Sequence, residues 1–363
     1  MLFLVAGVAA VGIFEQGFKT SPFFPQFAGN AARMQAVDAT KLPQSAVYVD
    51  YPANGAKPVT IKDGFSYLPS SIGHITVAVA GRTPAGSVGA SWTGRSSYSP
   101  SQMWSSTKSL MFPYLVQKAA PHTANSPSTW TQDGFKFTDI IKDIESYSFA
   151  FVGKSSNCLS TSLKGLTPRS DQENWLKTVT GDKSISFLGG YGEAACLNPT
   201  LKSGSTSLLS GSSSAGGDNL ITTYSMARIY SNMAWMSFLP DNKKIPGLSY
   251  KGSSDMSPVF NAMSFDECRY VDVALKNLGL LAPGKITNVS LISKMGGGYP
   301  SASPGTSDLT YSAALSYFQV STGKQRSIAF SIKASTGSDA GSDAALLNAV
   351  TEIIKRVNSD TAL

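Results

Sequence analysis

Ser105 and Lys108 are the pair of residues in this sequence whose types and spacing could carry out chemistry together. If Ser105 opens a helix, Lys108 lies three residues further on, on the same face, with its amine near the hydroxyl. A lysine removed from water can act as a base near neutral pH, and the free N–H groups at a helix start can hold an oxyanion. The spacing therefore predicts a nucleophilic serine with a lysine base. The plainer alternative is a serine that caps a helix beside a surface lysine.

Two later motifs could complete such a site. A run Ser-Ser-Asn at 155–157 offers hydroxyl and amide groups, and a run Lys-Met-Gly-Gly at 294–297 offers an amine beside a backbone that a substrate can approach closely. The plainer alternatives are a polar turn or helix cap for the first run and a glycine-rich turn for the second. A lysine-based serine enzyme built from these motifs would need neither a metal nor another cofactor.

Histidine chemistry is disfavoured. The chain has two histidines, His74 in an apolar strand pattern and His122 in a loop, and neither accompanies a G-x-S-x-G motif. A zinc hydrolase would need a cluster of ligating side chains, and we find none in the sequence. The three cysteines, Cys158, Cys196 and Cys268, fit no metal spacing. Cys158 and Cys196 could form a disulfide in an oxidising compartment, but we favour three core thiols.

Strand patterns flank the first motif and follow the last. Alternating apolar residues predict strands over 72–80 and 87–92, joined by a turn at 83–86, and a second hairpin over 309–320 and 325–334. A helical period covers 104–119, and an amphipathic helix over 344–357 closes the chain. Between them lie a Ser/Gly-rich segment, 203–217, expected to be a loop insertion, and further helix-like stretches at 139–149, 171–179, 222–238 and 265–280.

The order of these elements predicts the fold class. Strands contributed by both ends of the chain, with helices between them, imply an α/β (α+β) domain: an antiparallel sheet flanked by helices, with an inserted all-helical subdomain. We assign residues 70–357 to this domain and most of 120–285 to the inserted part. Residues 1–20 are assigned to a signal peptide or membrane anchor, and 21–69 to an N-terminal extension or linker.

The motifs and their setting resemble the penicillin-binding protein and serine β-lactamase superfamily. In that family a strand pair and a Pro-x-Ser segment precede Ser-x-x-Lys, and Ser-x-Asn and Lys-Thr-Gly motifs follow in order. Here a strand hairpin and a short Ser-Pro loop at 99–101 precede Ser105. The resemblance implies a β-lactamase/transpeptidase-like fold. It also implies a serine hydrolase that forms an acyl-enzyme on Ser105.

The resemblance assigns roles to the later motifs. Ser155 would pass a proton to the leaving group, Asn157 would steady Lys108 and the substrate, and Lys294 would assist the transfer. Gly296 would let the substrate backbone lie close, and the N–H of Gly297 would join that of Ser105 in the oxyanion hole.

One position departs from the family pattern, and two others offer rivals. Met295 replaces the Thr or Ser that usually helps to bind a substrate carboxylate, so we expect weak recognition of carboxylate-bearing substrates. Tyr230 and Asn232 resemble a Tyr-x-Asn motif in which tyrosine is the base, but they lie in a helical pattern, so we favour Ser155. Glu193 loosely resembles the deacylating glutamate of class A β-lactamases, at an imperfect spacing.

Composition limits the remaining possibilities. The 363 residues are 42% hydrophobic and 15% charged, which suits a globular domain, and the net charge of +7 is scattered, which disfavours a nucleic-acid surface. The uncharged apolar run at 2–14 has the length of a signal-peptide core, with membrane anchoring as the alternative. We therefore expect an exported protein of the periplasm or cell envelope that acts on a peptidoglycan peptide, a β-lactam or a small ester. A D-Ala-D-Ala peptidase is the first expectation; a β-lactamase, an esterase-like hydrolase or a catalytically silent envelope protein are the alternatives.

Overall fold

A computed structural model describes residues 29–58, 60–211, 216–265, 270–298 and 307–363. The apolar run at 2–14, the segment assigned to a signal peptide or anchor, and Cys268 lie outside these residues. Within the described ranges, no helix is both long and apolar enough to cross a membrane.

The strands form three sheets within the described residues. In chain order the strands are β1 (Val49–Asp50), β2 (Lys62–Asp63), β3 (Ile72–Arg82), β4 (Val88–Arg95), β5 (Ser101–Gln102), β6 (Trp130–Gln132), β7 (Phe135–Lys136), β8 (Ser186–Phe187), β9 (Thr200–Ser203), β10 (Thr206–Ser210), β11 (Asn219–Ile221), β12 (Ile286–Gly298), β13 (Asp308–Gln319) and β14 (Lys324–Ser335). The central sheet has the order β1-β4-β3-β14-β13-β12, with β2 added in parallel to β4. Strands from both ends of the chain thus form one sheet, as the sequence predicts.

Both predicted hairpins are confirmed. Strands β3 and β4 turn at 83–86, where Gly86 donates a hydrogen bond of 2.8 Å to the carbonyl of Thr83 and adopts a left-handed φ of 85°. That conformation costs glycine little because it has no Cβ. Strands β13 and β14 pair along their whole length, from Asp308 opposite Ser335 to Gln319 opposite Lys324.

Helices cover both faces of the central sheet. They are α1 (Asn30–Gln35), α2 (Met111–Ala119), α3 (Phe137–Ser146), α4 (Ser156–Lys164), α5 (Arg169–Thr180), α6 (Thr223–Trp235), α7 (Ser257–Met263), α8 (Tyr270–Asn277) and α9 (Asp339–Asn358). Helices α8 and α9 share one hydrophobic core with one sheet face. Helices α1 to α7 share a second core with the opposite face. The predicted fold class is confirmed.

The helix predicted over 104–119 is divided. Residues Trp104–Leu110 form a 3₁₀ segment, and the α-helix begins at Met111. Pro113 explains the division, because proline cannot donate to the carbonyl four residues before it and its ring clashes with that carbonyl, here that of Ser109. A proline in the first turn of an α-helix avoids this conflict.

The prediction of a loop over 203–217 is wrong for the first part of that segment. Strands β9 and β10 form a hairpin that turns at Gly204, whose φ is 59°. Leu201 and Leu208 are buried in the core, so apolar burial outweighs the Ser-rich composition of the segment. Residues 212–215 lie outside the described ranges.

Residues 29–69, expected to form an extension or linker, pack against the domain. Helix α1 lies against β12, where Asn30 both donates to and accepts from the backbone of Leu291. Tyr51 contacts Ser231 of α6 through a hydroxyl pair 2.7 Å apart. Strand β1 also extends the central sheet. The described part of this segment is therefore an ordered extension.

Candidate active site

Ser105 lies at the second residue of the 3₁₀ segment, directly after a strained residue. Trp104 has a φ of 48°, a left-handed conformation that costs a non-glycine residue about 1–3 kcal/mol and is found at functional sites. Its ring packs over Gly298, where a Cβ would lie 2.5 Å from a ring atom. Ser105 is half-buried, and the backbone N–H at this position has no acceptor within the segment. Ser105 thus stands at the start of a short helical segment, where a backbone N–H is not used within the segment.

Lys108 is fully buried one turn later, and its amine reaches the second motif. Its Nζ donates hydrogen bonds to Ser156 Oγ at 2.9 Å and to Asn157 Oδ1 at 2.7 Å. Both acceptors are neutral groups from the first turn of α4. Residues distant in sequence, and predicted to act together, are therefore joined around this amine. The hydrogen bond predicted between Lys108 and Ser105 stays a prediction.

The serine whose hydroxyl accepts from the Lys108 amine is Ser156, whereas the sequence predicts the proton-relay role for Ser155. Ser155 is the N-cap of α4, where its Oγ accepts a hydrogen bond of 3.1 Å from the N–H of Cys158. Ser155 also donates to a carboxylate oxygen of Glu193. A capping hydroxyl is directed at the free N–H groups of its own helix. The next residue, already inside the helix, faces the lysine.

Lys294 is also fully buried, and it approaches the same place from β12. Its Nζ donates to the carbonyl of Glu145 at 3.0 Å and lies 3.5 Å from the centroid of the Tyr147 ring. The Lys108 amine lies 5.4 Å from that centroid. The carboxylate of Glu145 accepts a hydrogen bond of 2.9 Å from Ser109. Sequence reasoning missed Glu145 and Tyr147, since neither belongs to a motif.

Asp143 fixes the loop that carries Tyr147 towards α4. Its buried carboxylate accepts hydrogen bonds from the N–H groups of Phe151, Val152 and Gly153 at 2.7–3.3 Å. Buried polar groups in proteins are generally hydrogen-bonded, and here the carboxylate and the backbone N–H groups of the loop supply each other's partners. The loop between α3 and α4 is consequently held in one position beside both lysines.

Gly296 brings β12 into direct contact with the nucleophile segment. A Cβ at this position would lie 2.6 Å from the backbone nitrogens of Ser105 and Ser106, so only glycine fits. Thr310 of β13 holds the same contact, donating to the carbonyl of Met103 at 2.9 Å. The next residue, Gly297, is half-buried at the edge of the sheet. The third motif therefore lies beside the first.

Met295 does not face this site, and the expectation of weak recognition of carboxylate-bearing substrates stays a prediction. It is 2% exposed and belongs to the core on the opposite face of the sheet, with α8 and α9. The Tyr270 hydroxyl lies 3.6 Å from its sulfur. Successive side chains of a strand point to opposite faces, so Lys294 and Gly296 take the site face and Met295 the other.

The rival middle motif lies in helical packing, as favoured from the sequence. Tyr230 is fully buried in the core around α6. Asn232 donates to the carbonyl of Lys243 at 2.7 Å and accepts from the N–H of Ile245 at 2.8 Å, which fixes a neighbouring loop. Tyr230 therefore packs in the core, and Asn232 stabilises a loop.

A disulfide joins Cys158 to Cys196, which corrects the expectation that these two residues are free thiols. It ties the start of α4 to the loop that carries Tyr191 and Glu193. The Tyr191 ring lies 5.4 Å from the Lys108 amine. Burial raises the pKa of the Tyr191 phenol, which favours its neutral form.

No protein-family model matches the chain, and no curated protein matches it. Solved structures do match, each with a probability of 1.00. The chromosome-encoded β-lactamase of Vibrio parahaemolyticus is 12% identical, with 79% of this chain and 95% of that chain covered and a TM-score of 0.43. The C-terminal domain of the Bacillus licheniformis BlaR penicillin-receptor is 11% identical, with 82% and 98% covered and a TM-score of 0.43.

A class A β-lactamase from Bacteroides cellulosilyticus is 14% identical, with 80% of this chain and 94% of that chain covered and a TM-score of 0.45. The similarity concerns the fold, and the activities in their names are their own.

Proposed function

We propose that this chain is an active-site serine hydrolase of the penicillin-binding protein and serine β-lactamase type, with Ser105 as its nucleophile. The observation that carries the proposal is the contact of Lys108, one turn after Ser105, with Ser156 and Asn157 from another helix. The approach of Gly296 to the Ser105 nitrogen supports it. Three separate segments supply the parts that acyl transfer needs.

In the proposed reaction, the neutral amine of Lys108 takes the proton of the Ser105 hydroxyl as the oxygen attacks an ester or amide carbonyl. The carbonyl oxygen becomes an oxyanion, held by the N–H groups of Ser105 and Gly297. A nearby base lets a weak nucleophile react at neutral pH, and the fixed turn after Trp104 supplies the orientation.

The proton then passes from Lys108 to the leaving group as the acyl-enzyme forms. The hydroxyl of Ser156 accepts from the Lys108 amine and donates to the carbonyl of Ile144 at 2.9 Å. We assign the relay to Ser156 in place of Ser155, with the hydroxyl turning from Ile144 to the leaving group. Asn157 holds the lysine in position, and the cation of Lys294 favours negative charge nearby. Water then releases the acyl group and restores the Ser105 hydroxyl. Glu193 remains the alternative base for that water, since its hydrogen bond to Ser155 brings it to the start of α4.

For a substrate we propose the D-Ala-D-Ala end of a peptidoglycan peptide. A positive protein suits an anionic cell-wall polymer. A β-lactam or a small ester is the alternative substrate, and a catalytically silent envelope protein on this scaffold is the alternative function. We propose export to the periplasm or cell envelope, and the Cys158–Cys196 disulfide supports an oxidising compartment.

The test is acylation by a fluorescent penicillin, followed by intact-mass analysis. The wild-type chain should gain one acyl group, and Ser105→Ala should gain none. Ser106→Ala is the matched control, because Ser106 is the neighbouring serine and bonds Met103 and Thr310 instead of the second motif. Release of D-alanine from a D-Ala-D-Ala peptide would then separate a peptidase from a β-lactamase or an esterase.

An adduct that persists in Ser105→Ala would overturn the choice of nucleophile. If penicillin, activated esters and D-Ala-D-Ala peptides all fail to acylate the folded wild-type chain, the enzyme proposal is wrong and the silent scaffold takes its place.

A further inference from the structure

The two buried lysines of the candidate site lie against one aromatic ring. The Lys294 amine is 3.5 Å from the centroid of Tyr147, and the Lys108 amine is 5.4 Å from it. The lysines come from different elements, β12 and the 3₁₀ segment. Tyr147 is the residue directly after α3 and is part of none of the three motifs.

Tyr147 is held by hydrogen bonds of both its backbone and its hydroxyl. Its backbone N–H donates to the carbonyl of Asp143 at 3.1 Å, and its hydroxyl donates to the carbonyl of Met295 at 2.9 Å. Its φ of 56° is a left-handed conformation that the contacts of Asp143 with the following loop keep in place. The ring face is therefore presented to the lysines by fixed geometry.

An aromatic face stabilises a cation, and the effect grows as the cation comes closer and loses water. Lys294 has the shorter distance, and the carbonyl of Glu145 accepts its hydrogen bond. Two ammonium groups near one ring also repel each other. The titratable groups near Lys294 include Lys108 from the 3₁₀ segment, Glu145 from α3 and Tyr147 itself, and Lys108 in turn lies 5.4 Å from the centroid of the Tyr191 ring. The Tyr147 ring therefore favours a positive charge on the nearer amine, that of Lys294, more than on that of Lys108.

We propose that Tyr147 is a positioning residue that keeps the Lys294 amine positively charged on its ring face. Of the two lysines, Lys108 is then the one whose amine is neutral before the reaction and can act as the base. The consequence for acylation rests on the proposed function. The effect of Tyr147 on the charge of Lys294 does not rest on the proposed function, because it concerns the protein without substrate.

The test is an NMR titration of the full chain labelled with ¹³C at lysine Cε. The Lys294 and Lys108 signals are assigned by their loss in Lys294→Met and Lys108→Met. Tyr147 is replaced by phenylalanine and then by phenylalanines of increasing ring fluorination, which weaken the negative ring face at nearly constant shape. Tyr147→Phe removes the hydrogen bond to Met295 and keeps the ring face.

We expect Tyr147→Phe to leave the titration midpoint of Lys294 within about 0.3 pH units of wild type, and full fluorination to lower it by about 0.5–1.5 units. Tyr147→Leu should lower it as well. A Lys294 midpoint that is indifferent to fluorination overturns the inference. A fall that is complete in Tyr147→Phe also overturns it, because the hydroxyl would then be responsible.

The acylation pH profile provides a second measurement. The alkaline limb, where Lys294 loses its charge, should move down with fluorination in step with the NMR midpoint. If the midpoints shift as expected while no probe acylates wild type, the inference stands and the proposed function fails. If probes acylate Ser105 but the midpoints do not respond, the inference alone fails.

Discussion

The Lys108 amine donates a hydrogen bond of 2.9 Å to the hydroxyl of Ser156, and Ser155, one residue earlier, turns its hydroxyl to the N–H of Cys158. Two adjacent serines therefore have different hydrogen-bond partners. One contacts a buried lysine, and the other caps a helix.

The first prediction separates these two serines. Ser156→Ala should lower kcat/KM for acylation by about 100-fold or more, because it removes the hydroxyl assigned to proton relay. Ser155→Ala should instead lower the free energy of unfolding by about 1 kcal/mol, because it removes the cap of α4. Acylation kinetics and urea unfolding of both variants provide the measurement. A larger kinetic loss in Ser155→Ala would return the relay to Ser155.

The second prediction concerns Met295. Met295→Thr should give no tenfold gain in acylation by penicillins, because the side chain lies in the core on the other face of the sheet. It should lower the free energy of unfolding by about 2 kcal/mol or more, since it removes buried apolar volume and buries a hydroxyl. Met295→Leu is the matched control, with an expected loss below about 1.5 kcal/mol. A rate gain of tenfold in Met295→Thr would show that position 295 meets the substrate.

The third prediction concerns the disulfide. Alkylation of the denatured chain without a reductant should label one of its three cysteines, and all three after reduction. The double variant Cys158→Ala with Cys196→Ala should lose about 2–4 kcal/mol of unfolding free energy, because the unfolded chain gains freedom when a 38-residue separation is no longer closed. Labelling of three cysteines in the unreduced chain would contradict the bridge.

The fourth prediction is a pH dependence that comes from Lys164. This residue is fully buried, with its amine 4.1 Å from the centroid of the Phe187 ring. Burial lowers the pKa of Lys164 to about 7, against a partial opposing effect of Glu173 and a smaller lowering by Arg169. Between this value and about 10.5, the unfolded chain binds a proton that the folded chain lacks. The free energy of unfolding should therefore rise with pH over that window, by at most about 1.4 kcal/mol per pH unit.

Lys164→Met provides the control for this slope. The variant should unfold with a higher free energy at pH 7 and should lose the rise between pH 7 and pH 10, because no proton is then linked to folding at this position. Chemical unfolding at several pH values measures both effects. Equal slopes in the variant and the wild type would exclude Lys164 as their source.

Sequence alone determined the features that depend on local periodicity. The two hairpins follow from alternating apolar residues and their turns, and the placement of Ser105 before Lys108 follows from spacing along one segment. Two further structural features had a signal in the sequence. Pro113 predicts that an α-helix does not run unbroken through 109–113, and strand alternation predicts that Met295 and Lys294 face opposite sides.

Tertiary structure decided which groups meet. The rotation of α4 about its axis selects Ser156 over Ser155, and that rotation depends on how the helix packs. Tyr147 lies near both lysines, in a loop that the Asp143 carboxylate holds through the N–H groups of residues 151–153. The spacing of residues along the sequence does not reveal this contact. Cys158 pairs with Cys196 because the start of α4 and the loop before β9 converge. Each of these outcomes requires distances between residues far apart in the chain, and a one-dimensional pattern does not contain them.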